Sequence, residues 1–574
     1  MESNLVIYTE KINCQDCYKC IKVCPVKSIK IEDFSASVIN ESCIFCGECI
    51  NACPANAKKY RDDTHLILDW AINQEKMIAS IAPSFLSDFG DEKLENILKA
   101  FYVLGFSAVS ETALGAELVA VETNRVLKES DEDVVLATCC PSVVNYIKIH
   151  QPNLEKNLAP VVSPMIAHAR QLRAAGYNNY KIVFVGPCIA KKRESDIYGD
   201  EVDAVITFQE FTALLEREGI FFSDMEKIEL PEKFVIGASE RAGLFPVDYG
   251  MISTMCREKE SVDANFLSFS GMKAVMEVCS ELKEWNPSDR VFVELMACDG
   301  GCIKGPATNV KEGVAAKRNR LLRGYDSFKR SKLATPFPQV TVPLNYHAYQ
   351  VKSKYNHPYS DIEIQLALNS MGKTSKEDEL NCSGCGYDNC REFAIALLEG
   401  KAEREMCISQ MRKEAQNKAS ILLHKMPYGV VLVNEKMEIV DANDKFIKVG
   451  GEETLLIAET LGSLAGADLY KLVPYAKYFQ SVLNSGEESA EFDLRGHGFN
   501  IKLSIVSIQP KKTVCGILHY LDDTQLIKEL LSERIKEVIK QNAQSVQRIA
   551  YILGESASYT ESVLNSVIDS EIKK

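Results

Sequence analysis

The stretch Val134-Val135-Leu136-Ala137-Thr138-Cys139-Cys140-Pro141 is an apolar run that ends directly before two cysteines. The stretches 181–188 and 291–302 have the same form, with an apolar run followed by Cys188 and by Cys298. Short apolar runs of this kind predict buried strands, and the longer helical patterns between them predict the α/β fold class. Because open α/β sheets form their sites at the carboxyl ends of strands, we expect these cysteines to lie close together.

The composition indicates a large intracellular cofactor protein. The chain has 574 residues, 46% of them hydrophobic, and this length predicts about three or four domains. Twenty cysteines, clustered at ligand-like spacing with no export signal before them, predict metal sites in the reducing cytoplasm. The net charge of -14 disfavours nucleic acid and anionic membrane as partners. No run of about 18 apolar residues predicts a membrane span.

Two copies of one cysteine spacing occupy the N-terminal region. The first comprises Cys14, Cys17, Cys20 and Cys24, and the second Cys43, Cys46, Cys49 and Cys53, each with a proline after its last cysteine. This is the spacing of bacterial two-cluster ferredoxins, in which the fourth cysteine of each copy binds the other cluster. We predict a ferredoxin-like domain over residues 1–65, with one 4Fe-4S cluster on Cys14, Cys17, Cys20 and Cys53 and a second on Cys43, Cys46, Cys49 and Cys24. Zinc is the alternative, but it needs paired CxxC units without the third cysteine and the proline.

The cysteine patches that follow the strands resemble those of the FeFe (iron-only) hydrogenase family. The stretches 138–141, 186–191 and 294–302 follow, in the same order, the family patterns TSCCP, MPCxxKxxE and ExMACxxGCxxG. The resemblance implies an H-cluster-binding domain over residues 70–370. The ligands of its 4Fe-4S cubane would be Cys140, Cys188, Cys298 and Cys302. Cys302 would also bridge to a diiron subsite that carries CO, cyanide and a bridging dithiolate amine.

The same resemblance assigns roles to three further side chains. Lys191 would hydrogen-bond a cyanide ligand, since a charge-assisted bond suits a buried anion; Met296 would contact the cofactor, and Cys139 would pass protons to the bridging amine. A thiol with an unperturbed pKa of about 8.5 is mostly protonated at neutral pH and can serve in this way. Two alternatives stay open. Cys139 is a small buried thiol with a packing role only. The four-cysteine site as a whole lacks a diiron subsite, as in hydrogenase-like iron–sulfur assembly proteins.

One departure from the family pattern bears on proton transfer. The family's relay glutamate aligns with Thr123, whose hydroxyl does not titrate near pH 7. The sequence therefore predicts another proton route. Glu294 and Glu240 are the candidate catalytic carboxylates for it, and for each the alternative is an ordinary surface or ion-paired side chain.

A third cysteine pattern follows the α/β region. Its members match the CxxCGxxxC…C pattern of a small 4Fe-4S domain, which we place with a linker helix at residues 371–424: Cys382, Cys385, Cys390 and Cys407. Four thiolates also suit zinc, which stays the alternative. The cysteines without a metal or proton-transfer assignment are expected to be structural: Cys256, Cys279 and Cys515.

The C-terminal part combines strands with helices. Residues 425–523 contain five strand-like runs, and Asp441-Ala442-Asn443 is typical of a helix start. This order resembles a PAS domain, which implies sensing or dimerisation, although such a domain can be only structural. Residues 524–574 are predicted to be helical, with periodic apolar faces that suit packing, a homodimer or a partner. These faces contain Leu526, Leu530, Glu533, Val538, Val546, Ala550 and Leu553.

Together these patterns predict a multidomain α/β protein with an H-cluster and three additional 4Fe-4S clusters. Its expected activity is the reversible conversion of dihydrogen to protons and electrons. Its expected role is the sensing of hydrogen or redox state. The expected partners are a redox protein such as ferredoxin, a signalling protein and a second copy of the chain. Two alternatives are a metabolic ferredoxin-linked hydrogenase and a non-catalytic iron–sulfur carrier or assembly protein.

Overall fold

A computed structural model gives the architecture of the chain. It describes residues 5–89, 92–231, 234–237, 239, 242–256, 263–282, 285, 289–330, 337, 340–346, 359–496, 499–520, 534–536, 538–544 and 547. The chain divides into two compact units, Met1–Gln410 and Met411–Lys574. Within the described residues, no helix combines the length and the apolar character needed to cross a bilayer.

The N-terminal region of the first unit is built from two similar halves. Its elements are β1 (Ile7–Thr9), α1 (Lys19–Val23), β2 (Ile29–Glu32), β3 (Ser35–Val38), α2 (Glu48–Ala52) and β4 (Lys58–Tyr60). β1 pairs with β4 and β2 with β3, both antiparallel. In the first cysteine loop Asp16 and Tyr18 have φ of 47° and 57°, and at the matching positions of the second loop Phe45 and Gly47 have φ of 57° and 81°. The sequence repeat is therefore also a backbone repeat.

An α/β domain follows. Its elements are α3 (Thr64–Ile72), β5 (Met77–Ile81), α4 (Phe85–Asp88), α5 (Leu94–Val103), β6 (Ala108–Glu111), α6 (Ala113–Glu129), β7 (Val134–Leu136), α7 (Pro141–His150), α8 (Pro164–Leu172), β8 (Lys181–Gly186), α9 (Ala190–Tyr198), β9 (Ala204–Thr207), α10 (Phe208–Arg217), α11 (Gly250–Met255), β10 (Asn265–Ser270), α12 (Met272–Glu281), β11 (Val291–Met296) and α13 (Val314–Arg330). The strands form two parallel sheets, β6-β5-β8-β9 and β10-β11-β7. All residues of β5 and β11 are buried, as expected for strands covered on both faces. The α/β prediction is confirmed.

The cysteine patches lie at the carboxyl ends of strands from both sheets. β7 and β11 of the three-stranded sheet lead to Cys140 and Cys298, and β8 of the four-stranded sheet leads to Cys188. Cys140 is the N-cap residue of α7, with Pro141 as the first helical residue. The chain turns into a helix directly after the ligand positions 140 and 188, which fixes both cysteines at the junction of the sheets.

The third cysteine-rich region shares a core with the first. Its helices are α14 (Asp361–Ser370), α15 (Cys390–Leu398) and α16 (Ile408–Lys425). Leu368 and Phe393 belong to the same buried cluster as Ile21 and Ile29 of the N-terminal region. The Lys27 ammonium group also donates to the carbonyl oxygen of Gly386 at 3.0 Å. The two iron–sulfur-type regions therefore pack together, although more than 300 residues separate them in sequence.

The second unit contains one five-stranded antiparallel sheet. Its elements are β12 (Gly429–Asn434), β13 (Ile439–Ala442), α17 (Asp444–Val449), α18 (Glu452–Leu461), α19 (Leu469–Leu472), α20 (Ala476–Ser485), β14 (Ser489–Gly496), β15 (Phe499–Gln509) and β16 (Thr513–Tyr520). The strand order is β13-β12-β16-β15-β14. β13 begins at Ile439 and not earlier, because Met437 has a φ of 64° and belongs to the preceding turn.

Asn443 joins several backbone segments of this unit. As predicted, it caps a helix: its side-chain oxygen accepts from the Phe446 amide at 2.9 Å, at the start of α17. The same oxygen accepts from Val430, and the side-chain nitrogen donates to the carbonyl groups of Leu423 and Tyr428. Asn443 itself is 0% exposed, so water cannot replace these partners.

Most of the predicted C-terminal helical segment lies outside the described residues. Residues 534–536, 538–544 and 547 are helical, and the Val538 side chain is 55% exposed. The other stripe positions, Leu526, Leu530, Glu533, Val546, Ala550 and Leu553, lie outside the described part, so the packing stripe stays a prediction. The proposed domain limits at 65, 70, 370, 424 and 523 also stay predictions.

We predict that Asn443→Ala destabilises the second unit by roughly 2–4 kcal/mol, because it removes a helix cap and leaves several buried backbone groups without partners. Hydrogen–deuterium exchange of β12 and α17 in the full chain measures the effect as a lower opening free energy. The control is Asn484→Ala at an exposed position, whose expected effect is within about 0.5 kcal/mol. Equal exchange rates in the two variants would show that Asn443 does not hold the unit together.

Candidate cluster-binding site

One cavity collects the predicted cluster-binding residues of the α/β domain. It has a volume of about 110 Å³, several times the ~10–15 Å³ that one water molecule needs. The predicted residues that line it are Cys139, Cys140, Cys188, Lys191, Glu294, Met296, Cys298 and Cys302. Glu240, the other predicted carboxylate, lies outside the described residues. The structure thus brings three separate stretches of sequence to one place.

The four ligand thiols are close enough to affect one another. Burial raises the pKa of Cys188 to about 11 and that of Cys302 to about 12, and the neighbouring Cys140 raises both further. Burial also raises the pKa of Cys298 well above its ordinary value, with added effects from Cys302, Cys188 and Cys140. Thiols in such a group become thiolates only beside a strong positive charge, and iron supplies it. The donor set therefore fits a four-cysteine iron–sulfur cluster.

Lys191 brings a positive charge to this cavity. Its Nζ atom donates to Glu194 at 2.6 Å, and both side chains are 10% exposed. Burial lowers the pKa of Lys191, but Glu194 and the thiols of Cys188 and Cys139 outweigh it, so the pKa is raised. An ammonium group has three donors, and in the described part of the chain only Glu194 engages one. The remaining donors can bind an anionic ligand in the cavity.

Cys139 is placed as a protonated thiol. Its sulfur donates to the sulfur of Met251 at 3.4 Å, and both residues line the cavity. Burial raises the pKa of Cys139, and the nearby carboxylate of Glu294 raises it further, although Lys191 opposes the shift. The thiol of Cys139 therefore keeps its proton at neutral pH.

Glu294 lies on β11 with its carboxyl group at the same cavity. Its side chain is 3% exposed, and burial raises its pKa to about 7. One carboxyl oxygen accepts from the Met251 amide at 3.0 Å, and the other has no hydrogen-bond partner among the described residues. A buried oxygen without a partner disfavours the charged form. Glu294 can therefore take up and release a proton near neutral pH.

The structure also places polar residues near the cavity that the sequence did not reveal. Glu111, at the end of β6, is 1% exposed; burial raises its pKa to about 7, and one of its oxygens accepts from the Ser239 amide. Next to it, Thr112 lines the cavity, and its hydroxyl is 2.8 Å from that of Ser80, which is 2.7 Å from Nδ1 of His168. Polar residues at the end of an apolar strand were the only signal for them.

Thr123, aligned with the family's relay glutamate, is buried on α6. It is not among the residues that line the cavity; the residues of α6 that do so are Ala113 and Ala116. That Thr123 occupies the position of the family's relay glutamate therefore stays a prediction.

The second cysteine loop of the N-terminal region reaches this cavity. Cys46 lines it and contributes to the raised pKa of Cys298. A side chain at Gly47 would place its Cβ atom 2.6 Å from Pro306 and 2.9 Å from Ile189. The loop around the second predicted cluster therefore packs directly on residues that flank the cavity cysteines.

Thiols of the N-terminal region also lie close to one another. Burial raises the pKa of Cys49 to about 12 and that of Cys46 well above its ordinary value, and in each case the thiol of Cys24 adds to the shift. Burial likewise raises the pKa of Cys20 to about 11, with a contribution from Cys14. Cys24 thus lies with the second cysteine copy and not with its own.

Thiols of the third cysteine pattern also lie close to one another. Burial raises the pKa of Cys385, and the thiols of Cys407 and Cys382 raise it further. In the neighbouring loop, a Cβ atom at Gly386 would be 3.0 Å from Ile21 of α1. The described residues contain no group of three or more His, Cys, Asp or Glu side chains spaced for a single metal ion.

Comparison with known families agrees with these sites. Residues 75–306 match the C-terminal domain of the iron-only hydrogenase large subunit, residues 6–54 match the 4Fe-4S dicluster domain, and residues 378–409 match an Fe-S cluster family. The chain is an FeFe-hydrogenase-like protein.

Individual relatives of this hydrogenase-like protein are of two kinds. It is 26% identical over 284 residues to iron hydrogenase 1 of Clostridium pasteurianum, across 41% of this chain and 49% of that protein. It is 33% identical over 164 residues to the cytosolic Fe-S cluster assembly factor NAR1 of Eremothecium gossypii, across 26% of this chain and 36% of that protein. The chain thus spans about half the length of the first of these relatives and about a third of the second.

A solved structure of a similar protein is that of a single-residue variant of the FeFe-hydrogenase HydA1 from Chlamydomonas reinhardtii. It is 15% identical, with a TM-score of 0.37, and the match covers 47% of this chain and 90% of that one.

We predict that Cys188→Ser lowers the iron and sulfide bound per chain by the content of one 4Fe-4S cluster, because a hydroxyl is a poor replacement for a thiolate on iron. The measurement is iron and acid-labile sulfide analysis of the full chain after anaerobic reconstitution. Cys256→Ser, at an exposed cysteine without a cluster assignment, is the matched control and should keep the wild-type content. An unchanged iron content in Cys188→Ser would remove this residue from the ligand set.

Proposed function

We propose that the protein reversibly converts dihydrogen to protons and electrons and uses this reaction to sense dihydrogen or redox state. The observation that carries the proposal is the single cavity that joins four ligand thiols with Lys191, Cys139 and Glu294. When bound there through Cys140, Cys188, Cys298 and Cys302, an H-cluster would supply the chemistry that splits dihydrogen. The protein's own residues have to hold the cluster, compensate its charge, and carry protons and electrons to and from it.

Lys191 and Cys139 are proposed as the residues beside the reacting atoms. The free donors of Lys191 would bind an anionic ligand such as cyanide, and Glu194 holds the ammonium group in place at 2.6 Å. Cys139 would exchange a proton with the bound amine. It suits this role because its thiol is protonated and lies in the cavity wall.

Glu294 is proposed as the next proton carrier. It lines the same cavity as Cys139, and the Ser268 side chain is near enough to influence its pKa. The hydroxyl oxygen of Ser268 in turn accepts from the Tyr249 amide at 3.2 Å, and the Tyr249 side chain is 52% exposed. A carboxyl group with a pKa of about 7 at this point can pass protons between the cavity and the nearby surface. Such a route would not need a carboxylate at Thr123.

Electrons are proposed to leave through the N-terminal region. Cys46, a ligand of the second predicted ferredoxin cluster, lies at the cavity with Cys298, and the next residue, Gly47, packs closely against Pro306 and Ile189. The contact of Gly386 with Ile21 places the third cysteine region beside the same N-terminal region. A redox protein such as ferredoxin would receive the electrons.

The sensory part of the proposal rests on the second unit. Its five-stranded antiparallel sheet with intervening helices fits the PAS domain that the sequence resembles, and α16 runs into it from the third cysteine region. A change in cluster charge could then alter a contact with a signalling protein or with a second copy of the chain. A cytoplasmic location is proposed from the twenty free cysteines, which suit a reducing compartment.

An iron–sulfur assembly factor is the second candidate function. The 33% identity to an assembly factor over 164 residues favours it. A metabolic, ferredoxin-linked hydrogenase is the third. An assembly factor needs the cluster thiols but not the proton carriers, whereas both kinds of hydrogenase need Cys139.

We predict that Cys139→Ala slows the exchange of deuterium gas with water protons by about 10²–10⁴-fold, the range for loss of a positioned acid–base group. The assay uses the full chain matured anaerobically with its cluster. The control is Cys279→Ala, because Cys279 is a buried thiol that does not line the cavity. Exchange at the wild-type rate in Cys139→Ala would remove this thiol from the proton path.

We predict that Glu294→Gln slows the same exchange by about tenfold or more, because an amide cannot carry a proton at this position. Glu294→Asp, which keeps a carboxyl group, should retain part of the activity. A wild-type rate in the glutamine variant, with a slow rate in Cys139→Ala, would show that protons leave the cavity by another route.

A further inference from the structure

One buried lysine of the N-terminal region has no carboxylate partner. Lys58, the first residue of β4, is 1% exposed. Its Nζ atom donates to the hydroxyl of Thr9 at 2.6 Å and to the carbonyl oxygen of Ala36 at 2.9 Å. Both acceptors are neutral. No carboxylate forms an ion pair with Lys58 in the described part of the chain.

Two other lysines that are buried as deeply do have carboxylate partners. Lys192 lies 3.1 Å from Asp63 and 3.0 Å from Glu210. Lys317 lies 3.4 Å from Asp88. This pairing is expected, since an uncompensated charge in the interior costs several kcal/mol. Lys58 therefore requires a negative charge of another kind.

Cluster ligands lie near Lys58, because Ala36, whose carbonyl oxygen accepts from Lys58, also donates its amide to the sulfur of Cys14 at 3.5 Å. Burial raises the pKa values of Cys20, Cys43 and Cys49, and in all three the positive charge of Lys58 works against the shift. Cys20 belongs to the first predicted cluster, whereas Cys43 and Cys49 belong to the second. The ammonium group is therefore close to both clusters.

We propose that Lys58 is the shared internal counter-charge of the two ferredoxin clusters and sets their reduction potentials. Four thiolates outweigh the charge of the iron–sulfide core, so each cluster is a net anion. Reduction adds one electron to a cluster and neither makes nor breaks a bond. A fixed positive charge in a medium of low dielectric favours the more negative, reduced cluster. Lys58 thus raises both potentials and favours residence of electrons in the region next to the cavity.

This inference rests on one part of the proposed function, the binding of two 4Fe-4S clusters by the N-terminal region. It does not depend on dihydrogen chemistry. The test therefore uses the full chain reconstituted with iron and sulfide alone, without maturation of a diiron subsite.

The experiment is an anaerobic redox titration followed by electron paramagnetic resonance. The ferredoxin pair is recognised as the two cluster signals that are lost in Cys17→Ser and in Cys46→Ser. Lys58→Met is expected to shift both midpoint potentials of this pair to more negative values. Lys58→Arg, which retains the charge, should shift them much less. Lys22→Met, at an exposed lysine two residues from Cys20, should leave them unchanged.

Unchanged potentials in Lys58→Met, with both clusters bound, would show that Lys58 only donates hydrogen bonds to Thr9 and Ala36. If the methionine variant does not retain two clusters, Lys58→Gln replaces it, because its amide can still donate. Loss of clusters from both neutral variants but not from Lys58→Arg would support the counter-charge. Loss from the arginine variant as well would contradict it, since shape and not charge would then decide binding.

Discussion

The structure depends on the convergence of thiols at the ends of strands from two separate sheets. Cys140 and Cys298 follow strands of one sheet, and Cys188 follows a strand of the other. Neither sheet alone can supply all of these cysteine ligands. The two sheets therefore have to pack with their carboxyl ends together, and the fully buried strands β5 and β11 provide the rigid frame for this. The site lies at the junction because no other place in the described fold receives ligands from both sheets.

Charge compensation in a dry interior is the second constraint. Each of the thiols of Cys188, Cys298 and Cys302 has a pKa raised chiefly by burial, so the apo site resists the ionised state that a cluster needs. Lys191 at the cavity and Lys58 among the ferredoxin cysteines supply positive charge at the two places where thiolates would gather. The difference between them is informative: Lys191 is paired with Glu194, whereas Lys58 has only neutral acceptors. Cluster binding would then complete the charge balance of the N-terminal region.

Local patterns in the sequence predicted local structure well. The apolar runs before the cysteines became strands, and Asn443 became a helix cap, because both depend on neighbours a few residues away. The packing of Gly386 on Ile21 could not be predicted, since it joins segments far apart in sequence. Glu111 was missed for a related reason: only the folded sheet shows that this carboxyl group is buried and next to a cavity residue. Lys58 likewise looks like an ordinary charged residue until its burial is known.

The most direct test of the central claim is the infrared spectrum of the anaerobically matured full chain during addition of dihydrogen. A cavity that holds an H-cluster should give bands of metal-bound CO and cyanide, and these bands should shift reversibly with the gas. Absence of the bands after confirmed maturation would contradict the account. The cavity would then hold a cubane without a diiron subsite, as expected of an assembly factor or an electron carrier.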